Sequence, residues 1–91
     1  MKNYNCTKEV RRAFGRDLRK ARRRADLTQA DLAKMTGVSG QTLSTYERGK
    51  SSASIDFIFR ACLAMSLSVD EFLEMTLHKL AERQALKNRK G

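Results

Sequence analysis

Residues 27–50 read LTQADLAKMTGVSGQTLSTYERGK, and the reading of this stretch decides the fold. Thr28 has the short hydroxyl side chain of a helix N-cap, and Ala30, Leu32 and Ala33 then recur at helical spacing. Gly37 can take the left-handed conformation that ends a helix, and Val38 is the apolar residue expected to seal the turn. Ser39 caps a second short helix, in which Leu43, Tyr46 and Glu47 share one face, and Gly49 ends it. The opposite face carries Gly40, Gln41, Ser44 and Thr45, all small or polar, with Arg48 just beyond.

This pattern resembles the helix-turn-helix of the lambda-repressor/Cro (XRE-type) family. The matching features are Thr28-Gln29 opening the first helix, Asp31-Leu32-Ala33 within it and Gly37-Val38-Ser39 at the turn. Leu43 lies inside the second helix, and Tyr46-Glu47-Arg48-Gly49-Lys50 closes it. About two dozen consecutive positions take part, far more than a lone short motif offers. The resemblance extends more weakly from about Phe14 to Leu73. It implies an all-α fold, a five-helix lambda-repressor-like DNA-binding domain, here with an extended C-terminal helix.

The resemblance also implies roles. In this class the second motif helix lies in the major groove, with its N-terminal residues at base edges. Gln41 and Thr45 are then the best base readers and Ser44 a weaker one. A glutamine can bond adenine twice, and a threonine offers a hydroxyl and a methyl. Gly40 stands where the family commonly has a longer polar side chain, so one direct base contact is missing. Gln29 matches a position that touches the phosphate backbone, and Ser39, Arg48 and Lys50 are placed to do the same. Arg19 and Arg23 of the first helix are expected to add phosphate contacts, which position the protein without reading sequence. Arg22 is expected to pair with Glu47 and tie the first helix to the third.

The charge pattern agrees with a nucleic-acid partner. The formal net charge is +9, and residues 1–24 hold ten Lys or Arg against two acids. Residues 25–65 hold four against four and residues 66–91 five against four, so the excess lies on or before the first helix. Such a block suits a polyanion, most simply double-stranded DNA.

Around the motif, residues 1–7 read as a flexible tail, with Thr7 as a cap. Val10, Phe14, Leu18, Ala21 and Ala25 then form the apolar stripe of a first helix of about 17 residues. Gly15 weakens that helix by roughly 1 kcal/mol relative to alanine. Ser54 caps a fourth helix from Ile55 to Met65, on which Phe59 and Leu63 fall outside the main apolar stripe. Ser68 and Glu71 have capping-box spacing for a fifth helix, in which Phe72 points into the core. The DNA-binding domain is thus expected at residues 8–75, with a helical extension and a frayed basic tail at 76–91. In that extension Leu73, Leu77, Leu80 and Gln84 step by four, three and four, a heptad-like seam. Phe59, Leu63, Leu73, Leu77 and Leu80 are the expected homodimer interface. The alternative is that the last helix folds back over its own core.

Other classes are set aside. No run of 18 apolar residues exists and the N-terminus lacks a signal-peptide core, so no membrane is expected and the protein is placed in the cytoplasm. Cys6 and Cys62 are expected as free thiols and His78 as a surface residue; no metal ligands or cofactors are expected. Enzyme chemistry has no support: there is one histidine, no paired carboxylates in an apolar setting and no Gly-rich phosphate loop. The expected function is a sequence-specific transcriptional regulator, of repressor or controller type, that binds a palindromic operator as a dimer. No separate ligand-sensing domain is expected in ninety-one residues. The alternative is a DNA-binding antitoxin or protein-interaction module of the same fold, with a protein partner such as a toxin.

Overall fold

The computed structural model describes residues 7–90. Five helices follow one another: α1 (Thr7–Arg24), α2 (Gln29–Thr36), α3 (Gly40–Glu47), α4 (Ile55–Ala64) and α5 (Val69–Lys90). Thr7 is the first residue of α1 rather than its cap. The rest of the expected tail, with Cys6, lies outside the described residues.

Local chemistry sets the helix ends. Thr28 Oγ1 accepts from the Asp31 amide at 3.0 Å while Asp31 Oδ2 accepts from the Thr28 amide at 3.0 Å, a reciprocal cap on α2. Ser39 and Ser54 accept from the amides of Thr42 and Phe57, each at 3.0 Å, opening α3 and α4. The first four helices all stop in the same way. The amides of Leu27, Val38, Lys50 and Leu67 reach back to the carbonyls of Arg22, Ala33, Thr45 and Cys62, at 2.8 to 3.1 Å. The preceding residue is left-handed each time: Asp26 (φ 64°), Gly37 (76°), Gly49 (70°) and Ser66 (56°). Glycine announces two of these stops. Asp26 and Ser66 carry a side chain into a region that costs an L residue roughly 1–2 kcal/mol, which the backbone hydrogen bonds closing each helix offset.

All five helices or their ends supply the core. Leu18, Leu32, Ala33, Leu43, Phe57, Ala61, Cys62, Met65 and Phe72 are buried together. Burying each of the larger side chains stabilises the fold by about 1.5–3 kcal/mol. Phe14 meets Phe72 edge-on at 5.7 Å between ring centroids, and Tyr46 lies 4.8 Å from Phe57. Cys62 is a buried free thiol, and burial pushes its pKa up. Val10 departs from the expected apolar stripe and is 42% exposed. The α5 side chain beside this end of α1 is polar, Lys87 pairing with Glu9.

The last helix, α5, continues unbroken to Lys90, through sequence with no helix-breaking residue before Gly91. It folds back along α1. Thr76 Oγ1 donates to Asp17 Oδ2 at 2.6 Å, Lys79 Nζ donates to Asp17 Oδ1 at 2.9 Å, and Lys87 pairs with Glu9 nearer the start of α1. Residue numbers rise along α5 as they fall along α1, so the two helices run antiparallel. Residues 76–88 continue the helix that begins at Val69. The seam of Leu73, Leu77 and Leu80 is divided. Leu73 and Leu80 are half-buried, whereas Leu77 is 66% exposed; on α4, Phe59 is 50% and Leu63 78% exposed. His78 lies on the surface, 3.3 Å from Glu82. Among the described residues no helix is long and apolar enough to cross a membrane.

Candidate nucleic-acid interface

The interface is built on α3, and a buried ionic network holds α3 in place. Arg22 Nε donates to Glu47 Oε2 at 2.6 Å and Arg22 Nη2 donates to Glu47 Oε1 at 3.1 Å, a two-point clamp between α1 and the end of α3. The third guanidinium nitrogen, Nη1, donates to the Leu27 carbonyl at 2.8 Å in the α1–α2 turn. Gln29 Nε2, at the start of α2, donates to Glu47 Oε1 at 2.9 Å. The Glu47 side chain is only 1% exposed, so its charge is compensated almost wholly by these donors. One carboxylate thereby joins three helices.

The backbones touch beside this network. A Cβ at Gly15 would lie 2.5 Å from the Tyr46 carbonyl oxygen and 2.6 Å from that of Glu47. Only glycine lets α1 approach the end of α3 this closely. What reads in sequence as a weak point of α1 is thus the contact that seats α3. Arg11 Nε donates to the Gly49 carbonyl at 3.2 Å and fastens the turn that follows.

With one side of α3 fixed, the other is presented outward. Leu43 and Glu47 are buried, while Gly40, Gln41 and Arg48 are exposed and Ser44 and Thr45 half-buried. Nothing lies within 4 Å of where a Gly40 side chain would begin, so the space beside it is open. Thr45 Oγ1 donates to the Gln41 carbonyl at 2.8 Å. Arg48 Nε donates to the Ser44 carbonyl at 3.3 Å, which lays its side chain along the helix. Ser39 is committed to its cap, accepting from the Thr42 amide and donating to Thr42 Oγ1 at 2.9 Å.

The residues expected at phosphates surround this face unevenly. Lys50 and Arg23 are exposed. Arg19 is 41% exposed, with Nε 4.0 Å from Glu47 Oε1. Gln29 is half-buried, with one amide hydrogen committed to Glu47. That tie to Glu47 is absent from the sequence reading; the separation of 18 residues carries no local signal for it. The surface as a whole combines short polar side chains on a rigid helix with a cationic border. It has the chemistry to meet base edges inside and phosphates around them.

The comparisons with known proteins agree with this geometry. A family model described as Helix-turn-helix matches residues 18–72. The clp gene regulator ClgR from Corynebacterium glutamicum superposes with a TM-score of 0.77 at 30% identity, over 89% of this chain and 86% of that one. The restriction-modification controller protein C.AhdI from Aeromonas hydrophila superposes with a TM-score of 0.65 at 26% identity, over 70% of this chain and 96% of that one. Among curated proteins, the antitoxin PezA of Streptococcus pneumoniae serotype 4 is 37% identical over 55 residues. That match takes in 60% of this chain but only 35% of PezA, so the chain spans about a third of that relative. The chain belongs to the lambda-repressor/Cro-like (XRE-type) helix-turn-helix family, and its fold is that of the family's DNA-binding regulators rather than of an enzyme.

Proposed function

We propose that the protein is a sequence-specific transcriptional regulator that binds a palindromic operator in double-stranded DNA as a homodimer, in the cytoplasm. The observation that carries this is the outward face of α3, small and polar, on a helix that the Glu47 network and the Gly15 contact hold rigidly. In this reading α3 enters the major groove, with Gln41 and Thr45 at base edges and Ser44 and Gly40 beside them. Arg48, Lys50, Arg19 and Arg23, with the second amide hydrogen of Gln29, meet phosphates, and Ser39 joins them when its hydroxyl turns from Thr42. The second half-site is read by a second copy, joined through Phe59, Leu63 and Leu77, with Leu73 and Leu80 at the edge of the contact.

A second reading has one observation behind it, the likeness to an antitoxin. A DNA-binding antitoxin would keep the α3 face for DNA and offer the apolar surface of α4 and α5 to a toxin.

Selection from random duplex DNA tests the proposal. A two-fold symmetric consensus is expected, with affinity falling steeply as salt rises because phosphate contacts release counterions. Arg48→Ala should weaken consensus and scrambled duplexes alike, whereas Gln41→Ala should relax the preference at one base pair per half-site. Binding that selects no sequence and hardly responds to salt would leave a protein-interaction module as the better reading.

A further inference from the structure

We propose that Thr45 reads a thymine through its methyl group, so that each half-site carries a thymine whose C5-methyl meets α3. This rests on the DNA reading above and adds to it which base Thr45 selects and by what chemistry. A threonine hydroxyl has one proton to donate. In Thr45 that proton is directed to the Gln41 carbonyl, 2.8 Å away and one helical turn back. A β-branched side chain has few rotamers within a helix, and the one whose oxygen reaches back to the preceding turn fixes the methyl as its other branch. With that proton committed, the residue has a methyl and the oxygen's remaining lone pairs to offer, and no donor.

The major groove then narrows the choice. Guanine N7 and O6, adenine N7 and thymine O4 are acceptors and gain nothing from a group without a proton to give. Adenine N6 and cytosine N4 can donate to the oxygen's lone pairs but leave the methyl without an apolar partner, whereas thymine carries a methyl that suits it. Gly40 and Arg48 leave this contact to Thr45. Gly40 contributes no side chain, and the Arg48 Nε donates to the Ser44 carbonyl. Gln41 is exposed one turn earlier, about 6 Å along the axis, and presents an amide suited to two hydrogen bonds with adenine. The face pairs a polar reader at its start with an apolar one a turn later.

The test starts from the consensus that the full chain selects from random duplex DNA. Each dT in turn is replaced by dU, which removes only the C5-methyl. For the unaltered protein one position per half-site should weaken roughly 3- to 10-fold, in keeping with loss of one buried methyl contact. Thr45→Val keeps the methyl and loses the hydroxyl, and should retain the preference for dT over dU at that position. Thr45→Ser keeps the hydroxyl and loses the methyl, and should bind dT and dU duplexes equally. The inference is overturned by a consensus without thymine, by indifference to dU at every position, or by a dU penalty that survives in Thr45→Ser. The dU scan needs no variant, so a variant that folds poorly leaves it intact. If no consensus emerges at all, the DNA reading fails and this inference with it; a clear consensus indifferent to dU removes the inference alone.

Discussion

Two residues carry more of this fold than their type suggests. Glu47 accepts three hydrogen bonds from two helices while almost wholly buried. Removing one member of a buried ion pair leaves the other uncompensated, which costs about 3–5 kcal/mol. Glu47→Ala is therefore expected to lower stability by that order, and Arg22→Met with Glu47→Leu to recover part of the loss. Urea unfolding of the two singles and the double measures the coupling, and additive losses would mean that the pair contributes nothing as a pair. Gly15 sets two effects against each other. Alanine raises helix propensity by roughly 1 kcal/mol, but its Cβ would meet two backbone carbonyls that cannot rotate away. Overpacking of this kind costs about 1–3 kcal/mol, so Gly15→Ala is expected to destabilise on balance. A raised urea midpoint for this variant would show that α1 and α3 can part at little cost.

Among the elements, α5 has one buried polar anchor past Phe72. Its stretch past Phe72 is fastened to α1 by Asp17, whose side chain is 3% exposed. Burial pushes the Asp17 carboxyl up, but the Thr76 hydroxyl and the Lys79 ammonium together outweigh it and hold the carboxyl below its usual range. A carboxyl lower in the folded than in the unfolded chain stabilises fully above the unfolded value, about 3.9, and loses that contribution as pH falls through the folded value. Asp17→Asn is thus expected to cost about 1–3 kcal/mol at pH 7, as for other buried hydrogen-bonded groups. Below about pH 4 its stability curve should approach that of the unaltered protein. Urea midpoints measured from pH 7 to pH 2 follow this, and parallel curves would show that Asp17 does not take part in acid unfolding.

For the whole molecule the proposed dimer is decided by which apolar residues α5 leaves uncovered when it folds back. Leu63 at 78% and Leu77 at 66% exposure are free for a partner, whereas Leu80 is half-buried within its own chain. Leu63→Glu with Leu77→Glu should accordingly give a folded monomer of unchanged helicity that binds a full operator weakly. Unaltered protein should sediment as a dimer at micromolar concentration and protect half-sites about 34 Å apart, one turn of duplex. A monomer that protects the full palindrome would end the dimer model. Circular dichroism of the variant guards the comparison, since the two positions lie outside the buried core.

The sequence by itself determined what rests on near neighbours along the chain. Thr28, Ser39 and Ser54 cap helices because a side-chain oxygen needs only to reach an amide three residues on. Gly37 and Gly49 stop helices because glycine alone is unstrained at positive φ. The same short-range logic separates the buried face of α3, with Leu43 and Glu47, from its outward face. Spacing does not pair Arg22 with Glu47, 25 residues away; family resemblance points to the pair, and the folded chain supplies its geometry and adds Gln29. Tertiary structure alone decided the remainder. Gly15 looks like a flaw in α1 until α3 is laid against it, and Asp17 looks like one more surface charge until Thr76 and Lys79 arrive from about 60 residues on. The direction of α5 was open for the same reason. An amphipathic pattern states that a face will be covered but not by what, and the buried carboxylate that selects α1 as the cover acts only once the two helices meet.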